Sequence, residues 1–145
     1  NFSKNISTSI NRYHSKIDKH IFLALIDSMS NNNINYRNGV SYGLTAMPLF
    51  VAKDIWYTIY PNDKYNPNYL YRADVNIELS VYYINNLTRA LDGDIEKALA
   101  IYVGYSGDTK VLMKKIDAYL QKHTGKSLDY YNELSIKQHN MRKLE

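Results

Sequence analysis

The stretch HIFLALIDSMS, residues 20–30, decides the fold class of this chain. Apolar residues spaced four apart form one row along the face of a helix: Ile17, Ile21, Leu25 and Met29. Side chains at this spacing lie one above the other on an α-helix. Directly after Met29 the composition changes to a run of Ser, Asn and Gly over residues 30–39, which favours a loop. The stretch therefore predicts a core helix that ends at a polar loop.

The same helical periodicity extends over most of the chain. Further helices are predicted around Phe2, Ile6 and Ile10, from Pro48 to just before Pro61, from an Asp74 N-cap to Gly93, from Asp94 to Tyr102, from Asp108 to Gly125, and around Leu128, Tyr131 and Leu134. The segment 61–71, rich in Asn, Pro and Tyr, is predicted to be a loop, and no segment shows sustained β alternation. We expect an all-α fold in which residues 1–145 form a single domain of about six helices.

The composition of the chain limits the cofactors and binding partners that we expect for it. The chain has 145 residues, a formal net charge of +4 and no cysteine, which excludes disulfides and thiolate metal sites. Its longest apolar runs are residues 21–26 and 48–52, too short for a membrane span of about 20 residues. Lys and Arg are dispersed, so we expect no nucleic-acid binding. The four histidines lack metal-ligand spacing, and we expect no metal or other cofactor.

The two ends of the chain carry expectations of their own. The chain begins at Asn1 without a methionine, which is typical of a fragment or of a processed form whose signal peptide has been removed. Residues 121–143 are predicted to be a C-terminal helical extension. We interpret Leu144-Glu145 as a cloning remnant and give it no weight.

Three blocks, in this order, carry a family resemblance: Ala24–Ser30 with the Asn-rich loop after it, Tyr42–Pro48, and Ala73–Tyr83 followed by Asp94–Tyr102. They resemble the soluble lytic transglycosylase domain of the lysozyme superfamily over about residues 15–120. Asn76-Ile77 and the segment 98–102, ALAIY, match the family's patterns best. The resemblance implies a lysozyme-like helical fold, peptidoglycan glycan strands as the partner, and a periplasmic or cell-envelope location.

The departures from the family pattern fall on its polar site positions. Met29 stands where the family places its catalytic Glu, and Val103 stands where the family has an Asn after the Tyr. Between Gly43-Leu44 and Pro48, where the family has a segment that contains a Gln, this chain has Thr45 and Ala46 and is one residue shorter. General acid–base assistance accelerates such reactions by about 10²–10⁴, and a thioether has no proton to donate. The resemblance thus implies lost chemistry, and Met29 itself fits simple packing.

Other carboxylates could replace the missing acid. Asp27 lies two residues before Met29 and therefore projects about 200° away from it around the helix. Glu78 lies in the first turns of a predicted helix, and these two residues are the fallback catalytic candidates. Asp63 and Asp108 lie in predicted loops, and neither forms an evident acid–base pair.

Glycan binding needs a groove with hydrogen-bonding and stacking groups rather than a proton donor. Of the 15 tyrosines, seven lie in or beside the predicted loops: Tyr36, Tyr42, Tyr65, Tyr69, Tyr71, Tyr102 and Tyr105. Aromatic rings with a polar edge suit sugar faces, although the same richness also fits a compositional bias of the source. The candidate substrate-binding residues are Ser30, Tyr42, Tyr102 and Tyr105.

Three functions remain open from the sequence. The first is a catalytically degenerate lytic-transglycosylase-like domain that binds peptidoglycan or serves as a structural part of an envelope-spanning secretion or conjugation machine. The second is an active peptidoglycan lytic transglycosylase or muramidase that uses a displaced carboxylate. The third is a protein-binding helical module. Because one fold supports many functions, the residues of the site must decide among them.

Overall fold

The structure, a computed structural model, describes residues 1–144 and is built mainly from α-helices, as expected. Seven α-helices are present in this range: α1 (Ser3–Arg12), α2 (Lys19–Ser30), α3 (Leu49–Ile59), α4 (Ala73–Ala90), α5 (Ile95–Gly104), α6 (Thr109–Thr124) and α7 (Leu128–Arg142). A short 3-10 helix, Pro67–Tyr71, lies within the segment that was predicted to be a loop. Glu145, part of the expected cloning remnant, lies outside the described residues.

A small antiparallel sheet follows α2 and departs from the expectation of helices and loops alone. Its strands are β1 (Arg37–Asn38), β2 (Ser41–Tyr42) and β3 (Met47–Pro48), in the order β1-β2-β3. Each strand has only two residues. A strand this short cannot show the period-two alternation by which strands are recognised in a sequence.

Most helix ends lie where the turn and capping residues predicted them. Asp94 and Asp108 accept hydrogen bonds from the backbone N–H groups of Lys97 and Val111, which caps α5 and α6. Gly125 ends α6 in the left-handed conformation. The prediction that Asp74 caps α4 was wrong.

The start of α4 lies two residues earlier than an Asp74 cap would require. The helix begins at Ala73, and the extended residue before it is Arg72. Asp74 lies inside the first turn, where an acidic side chain is favoured by the helix dipole. Its Oδ2 pairs with Arg72 Nη2 at 3.0 Å.

The core forms where α2 packs against α6, while α1 packs on α4 and α5 joins α4, α6 and α7. Phe22, Leu25 and Ile26 of α2 are fully buried. Full burial of each such side chain contributes about 1.5–3 kcal/mol to folding. Several helices contribute apolar residues to the core. Within residues 1–144, no helix is both long enough and apolar enough to cross a membrane.

Two glycines are required for the close approach of distant segments. Gly43 has a φ of +79°, and a Cβ at this position would lie 2.1 Å from the Leu70 carbonyl oxygen. Gly93 has a φ of +89°, and a Cβ there would lie 2.6 Å from Cβ of His139. Because only glycine adopts such a φ without strain, Gly43 allows the loop to reach α4 and Gly93 allows α7 to pack against the end of α4.

Candidate functional site

A groove opens where α2 ends, bordered by the β1 region and the start of α6. We call it the α2 groove; its volume is about 400 Å³. Its lining combines apolar surface with hydroxyl, amide and charged side chains: Ser28, Met29, Ser30, Asn31, Tyr36, Asn38, Ser106, Gly107, Asp108, Val111, Leu112 and Lys115. Such a mixture of apolar walls and a few polar groups is typical of ligand sites.

The three consecutive residues at the end of α2 contribute differently to this groove. Met29 is 6% exposed and lines the groove with a thioether side chain. This is the position at which the sequence resemblance places a catalytic Glu. The Ser30 hydroxyl donates to the Ile26 carbonyl oxygen at 3.1 Å, so its own helix occupies it. The Ser28 Oγ is buried and has no hydrogen-bond partner among the described residues. Ser28, which the sequence did not single out, therefore carries a buried hydroxyl without a partner beside the groove.

Within residues 1–144 a single carboxylate lines the α2 groove, and one of its oxygens caps a helix. Its one acidic residue, Asp108, accepts the backbone N–H of Val111 at 3.1 Å as the cap of α6. Asp27 does not line the groove and accepts the Asn32 amide at 3.1 Å. Burial, and after it the charge of Asp27, raise the pKa of Tyr119 on α6. Asp27 therefore acts on the α6 side of α2, away from the groove lining.

Glu78 lies in a different place, among three donors that we call the Glu78 cluster. Its side chain is 6% exposed and accepts hydrogen bonds from Arg12 Nη1 at 2.5 Å, from Tyr60 OH at 2.6 Å, and from Tyr13 OH. The cluster borders a separate groove of about 440 Å³ that shares no lining residue with the α2 groove. The structure thus does not bring Glu78 and Met29 together.

The two tyrosines of the Glu78 cluster hold their protons more tightly than usual. Burial raises the pKa of Tyr60 to about 12, and the hydrogen bond to Glu78 adds to the shift. The pKa of Tyr13 is also raised, by burial first and then by the same carboxylate. A phenol that donates to a carboxylate resists ionisation because its anion would face a second negative charge. These groups fit the role of fixed donors that join α1, α3 and α4.

Tyr102 lies inside the protein rather than on its surface. Its side chain is completely buried, and its hydroxyl donates to Thr45 Oγ1 at 2.9 Å. Burial raises the pKa of this phenol. The ring has no exposed face, so the expectation that Tyr102 touches a sugar does not fit its position. Its contacts instead fix the loop between β2 and β3.

Asn76, which the resemblance emphasised, joins the same loop to α4. Its Oδ1 accepts from both the backbone N–H of Thr45, at 3.0 Å, and the Thr45 hydroxyl, at 2.6 Å. Its Nδ2 donates to the carbonyl oxygens of Tyr42, at 2.9 Å, and Leu70, at 3.0 Å. We call Asn76, Thr45 and Tyr102 the Asn76 hub. All four bonding capacities of a buried amide are used, which rigidifies the fold here.

The remaining candidate tyrosines lie near the groove but do not line it. Tyr42 stacks on Tyr71, with ring centroids 5.4 Å apart, and carries the Arg37 guanidinium 4.7 Å above its ring. Tyr105 is exposed and meets the edge of Phe50 at 5.5 Å. Among the loop tyrosines, Tyr36 is the one that lines the α2 groove.

Two of the other loop tyrosines, Tyr65 and Tyr69, pack around Trp56. The Tyr65 and Tyr69 ring centroids lie 6.3 and 5.1 Å from that of Trp56. The Trp56 Nε1 donates to the backbone oxygen of Asp63 at 2.8 Å, so the loop that carries Asp63 is tied to α3. These rings pack against one another and leave Tyr36 as the aromatic side chain of the α2 groove.

Comparisons with protein-family models, with curated proteins and with solved structures find no match to this chain. In the described part of the chain, no group of three or more His, Asp or Glu side chains could hold a metal ion. The α2 groove is therefore the feature of the molecule whose chemistry bears on function.

Proposed function

We propose that this chain is a degenerate lytic-transglycosylase-like domain that binds peptidoglycan glycan strands in the α2 groove without cleaving them. The observation that carries the proposal is Met29, which lines the groove where the resemblance places a proton donor. Cleavage of a glycosidic bond needs a carboxyl group that protonates the leaving oxygen. The acidic residue in the lining, Asp108, is already engaged as a helix cap.

The lining of the α2 groove suits a ligand that is rich in hydroxyl and amide groups. Ser28 offers an unoccupied hydroxyl, Asn31 an exposed amide, and Tyr36 a half-buried ring with a polar edge. Lys115 adds a cation that could meet the carboxylates of a wall peptide. Amino sugars with short peptides present the complementary groups. Under this proposal the protein works in the periplasm or cell envelope.

The test uses purified sacculi and records both co-sedimentation of the protein and release of anhydro-muropeptides. We expect the wild type to sediment with the wall and release nothing, and Met29→Glu to gain release of product. Tyr36→Ala should weaken binding about three- to tenfold, the loss expected for one aromatic contact. Tyr130→Ala removes an exposed ring of α7 and serves as the matched control, with binding unchanged.

Two results would overturn the proposal. Release of anhydro-muropeptides by the wild type would favour an active enzyme with a displaced carboxylate, to be sought with Asp27→Asn and Glu78→Gln. Failure of the folded wild type to sediment with sacculi would remove the glycan-binding function altogether. In that case the groove is a by-product of the fold.

A second candidate function, a protein-binding part of an envelope-spanning machine, is favoured by exposed apolar side chains outside the groove. Phe50 is 56% exposed, and it contacts Tyr105, which is 41% exposed. Ile101 lies one helical turn before Tyr105 and is 40% exposed. Contiguous apolar surface is typical of interaction sites. Phe50→Ser should abolish incorporation into such a machine while leaving sedimentation with sacculi unchanged.

A further inference from the structure

A small pocket rich in cationic groups lies where α7 packs against the end of α4 and the segment between α1 and α2. Its lining includes the cationic residues Lys16, Arg89 and Arg142, together with His139, Asn85 and Gln138. The space inside it that is open to a water molecule is about 20 Å³, on the same measure that gives about 400 Å³ for the α2 groove. We call it the Arg89 pocket; it shares no lining residue with the α2 groove or with the groove beside Glu78.

The cations of the Arg89 pocket lack negative partners. Among residues 1–144, Lys16, Arg89 and Arg142 form no ion pair with a carboxylate, whereas Arg12 and Arg72 each pair with one. Among residues 1–144, no acidic residue lines the pocket. Like charges on one rim without counterions repel one another, so an anion bound beside them would be favoured.

Neutral donors in the Arg89 pocket are also poorly satisfied. Asn85 Nδ2 makes only a long hydrogen bond of 3.4 Å, to the Tyr13 carbonyl oxygen. His139 Nε2 is buried without a hydrogen bond, 3.5 Å from Asp92 Oδ1. A buried donor without an acceptor costs stability. The pocket therefore offers both positive charge and free N–H groups, the combination that oxyanions prefer.

We propose that the Arg89 pocket binds a phosphate group. Two guanidinium groups provide planar pairs of N–H donors that match the spacing of phosphate oxygens, and Lys16 adds a point charge. Phosphate oxygens entering the pocket would also reach the amide of Asn85 and the ring of His139. This binding site is independent of the glycan-binding function proposed above.

Asp92 makes the proposal testable in both directions. It lies beside His139 and Lys143, at 3.5 and 3.6 Å, and is 79% exposed. Its carboxylate competes with an incoming anion for these two groups. Asp92 has a φ of +56°, a conformation that Asn tolerates well. Asp92→Asn should therefore remove the competitor without disturbing the backbone, and it should tighten phosphate binding.

The experiment follows backbone amide chemical shifts during a titration with inorganic phosphate, at constant ionic strength set with chloride. We expect saturable shifts centred on residues 85–93 and 135–142. Arg89→Gln and Arg142→Gln should each weaken the binding about three- to tenfold, since each removes a charged hydrogen-bond donor. Lys137→Gln is the matched control. It removes one positive charge, as the two arginine variants do, but Lys137 lies on α7 outside the pocket.

A second arm identifies the source of the phosphate group. The same variants are sedimented with vesicles of phosphatidylglycerol and phosphatidylcholine. Wild-type binding that is lost in Arg89→Gln and kept in Lys137→Gln assigns the site to a lipid headgroup, whereas saturable phosphate binding without vesicle binding assigns it to a soluble phosphate compound.

The opposing explanation is that these cations only neutralise helix ends. Arg89 lies in the last turn of α4, and His139 and Arg142 lie in the last turn of α7, where cations favour the helix dipole. In that case phosphate would cause no saturable shifts beyond those caused by chloride. Shifts that were equally weakened by Lys137→Gln would also overturn the proposal, because they would reflect net charge alone.

Discussion

The α2 groove and the Glu78 cluster divide between them what a glycosidase active site combines. The groove has the space and the free polar groups, among them the unpartnered Ser28 hydroxyl, but it has Met29 where an acid is needed. The Glu78 cluster has a buried carboxylate, but three donors occupy it. A buried carboxylate therefore indicates acid–base catalysis only when it faces the groove and keeps a free proton or lone pair.

The largest effect should come from Glu78→Gln. The amide keeps the shape of the side chain but loses the charge that Arg12, Tyr13 and Tyr60 share, so donors are left partly unpaired. Because Arg12 is 53% exposed, we expect a loss of about 2–3 kcal/mol, below the full cost of a broken buried ion pair. Urea unfolding measures it, and Glu133→Gln on the exposed side of α7 is the control.

Sacculus binding by the folded fraction of Glu78→Gln should equal that of the wild type. If binding fell in parallel with stability, the cluster and the groove would not be separate units, and the comparison between them would fail.

The next effect is on the pH dependence of stability and involves Tyr60. Its pKa is raised to about 12 in the folded protein, first by burial and then by Glu78, above the usual value of 10.0. The folded state therefore holds this proton more tightly than the unfolded state, so the contribution to stability is complete below pH 10 and disappears as the pH rises towards 12. Unfolding at a series of pH values should show less alkaline destabilisation in Tyr60→Phe.

Tyr13 has a raised pKa for the same reasons and keeps part of the effect in that variant. Tyr130→Phe, on an exposed ring of α7, provides the matched control. An identical alkaline profile for wild type and Tyr60→Phe would show that Glu78 does not hold the Tyr60 proton.

The smallest effect should come from Ser28→Ala in the α2 groove. The Ser28 Oγ is buried without a partner, so its removal should leave stability unchanged or raise it by up to about 1 kcal/mol. Glycan binding should nevertheless weaken, because the hydroxyl is kept free for the ligand. Thermal unfolding and sacculus sedimentation give the two values. A loss of stability with unchanged binding would assign Ser28 to packing instead.

Helices were predictable from the sequence because their signals are local. The row of Ile21, Leu25 and Met29, the caps Asp94 and Asp108, and the left-handed Gly125 each act within a few residues. Ile17, which the predicted row also included, lies before α2, whose N-cap is Asp18. Two-residue strands carry no such period, and the start of α4 at Ala73 depends on the extended backbone of Arg72 rather than on Asp74. Local patterns thus predicted the helical class but not the sheet.

The site was less predictable because its partners are distant in the chain. Glu78 meets Tyr13 and Arg12, 65 and 66 residues earlier, and no spacing rule connects them. Tyr102 belongs to the family-like segment 98–102, but only the packing in the structure shows that its side chain is completely buried. Ser28 gave no signal beyond its place at the end of an apolar helix. A search for polar residues beside Met29 would have included it.

The Asn76 hub has a consequence for the order in which the protein folds. Its hydrogen bonds to Thr45 and Tyr42 close loops of 31 and 34 residues. Such contacts have an entropic cost that must be met before they stabilise the chain, so they form after the local helices. Although residues 43–46 lie outside any helix or strand, the Thr45 amide proton should exchange with solvent only through opening of the whole domain. The loop beside the α2 groove is in that sense a late-forming and slowly exchanging part of the core.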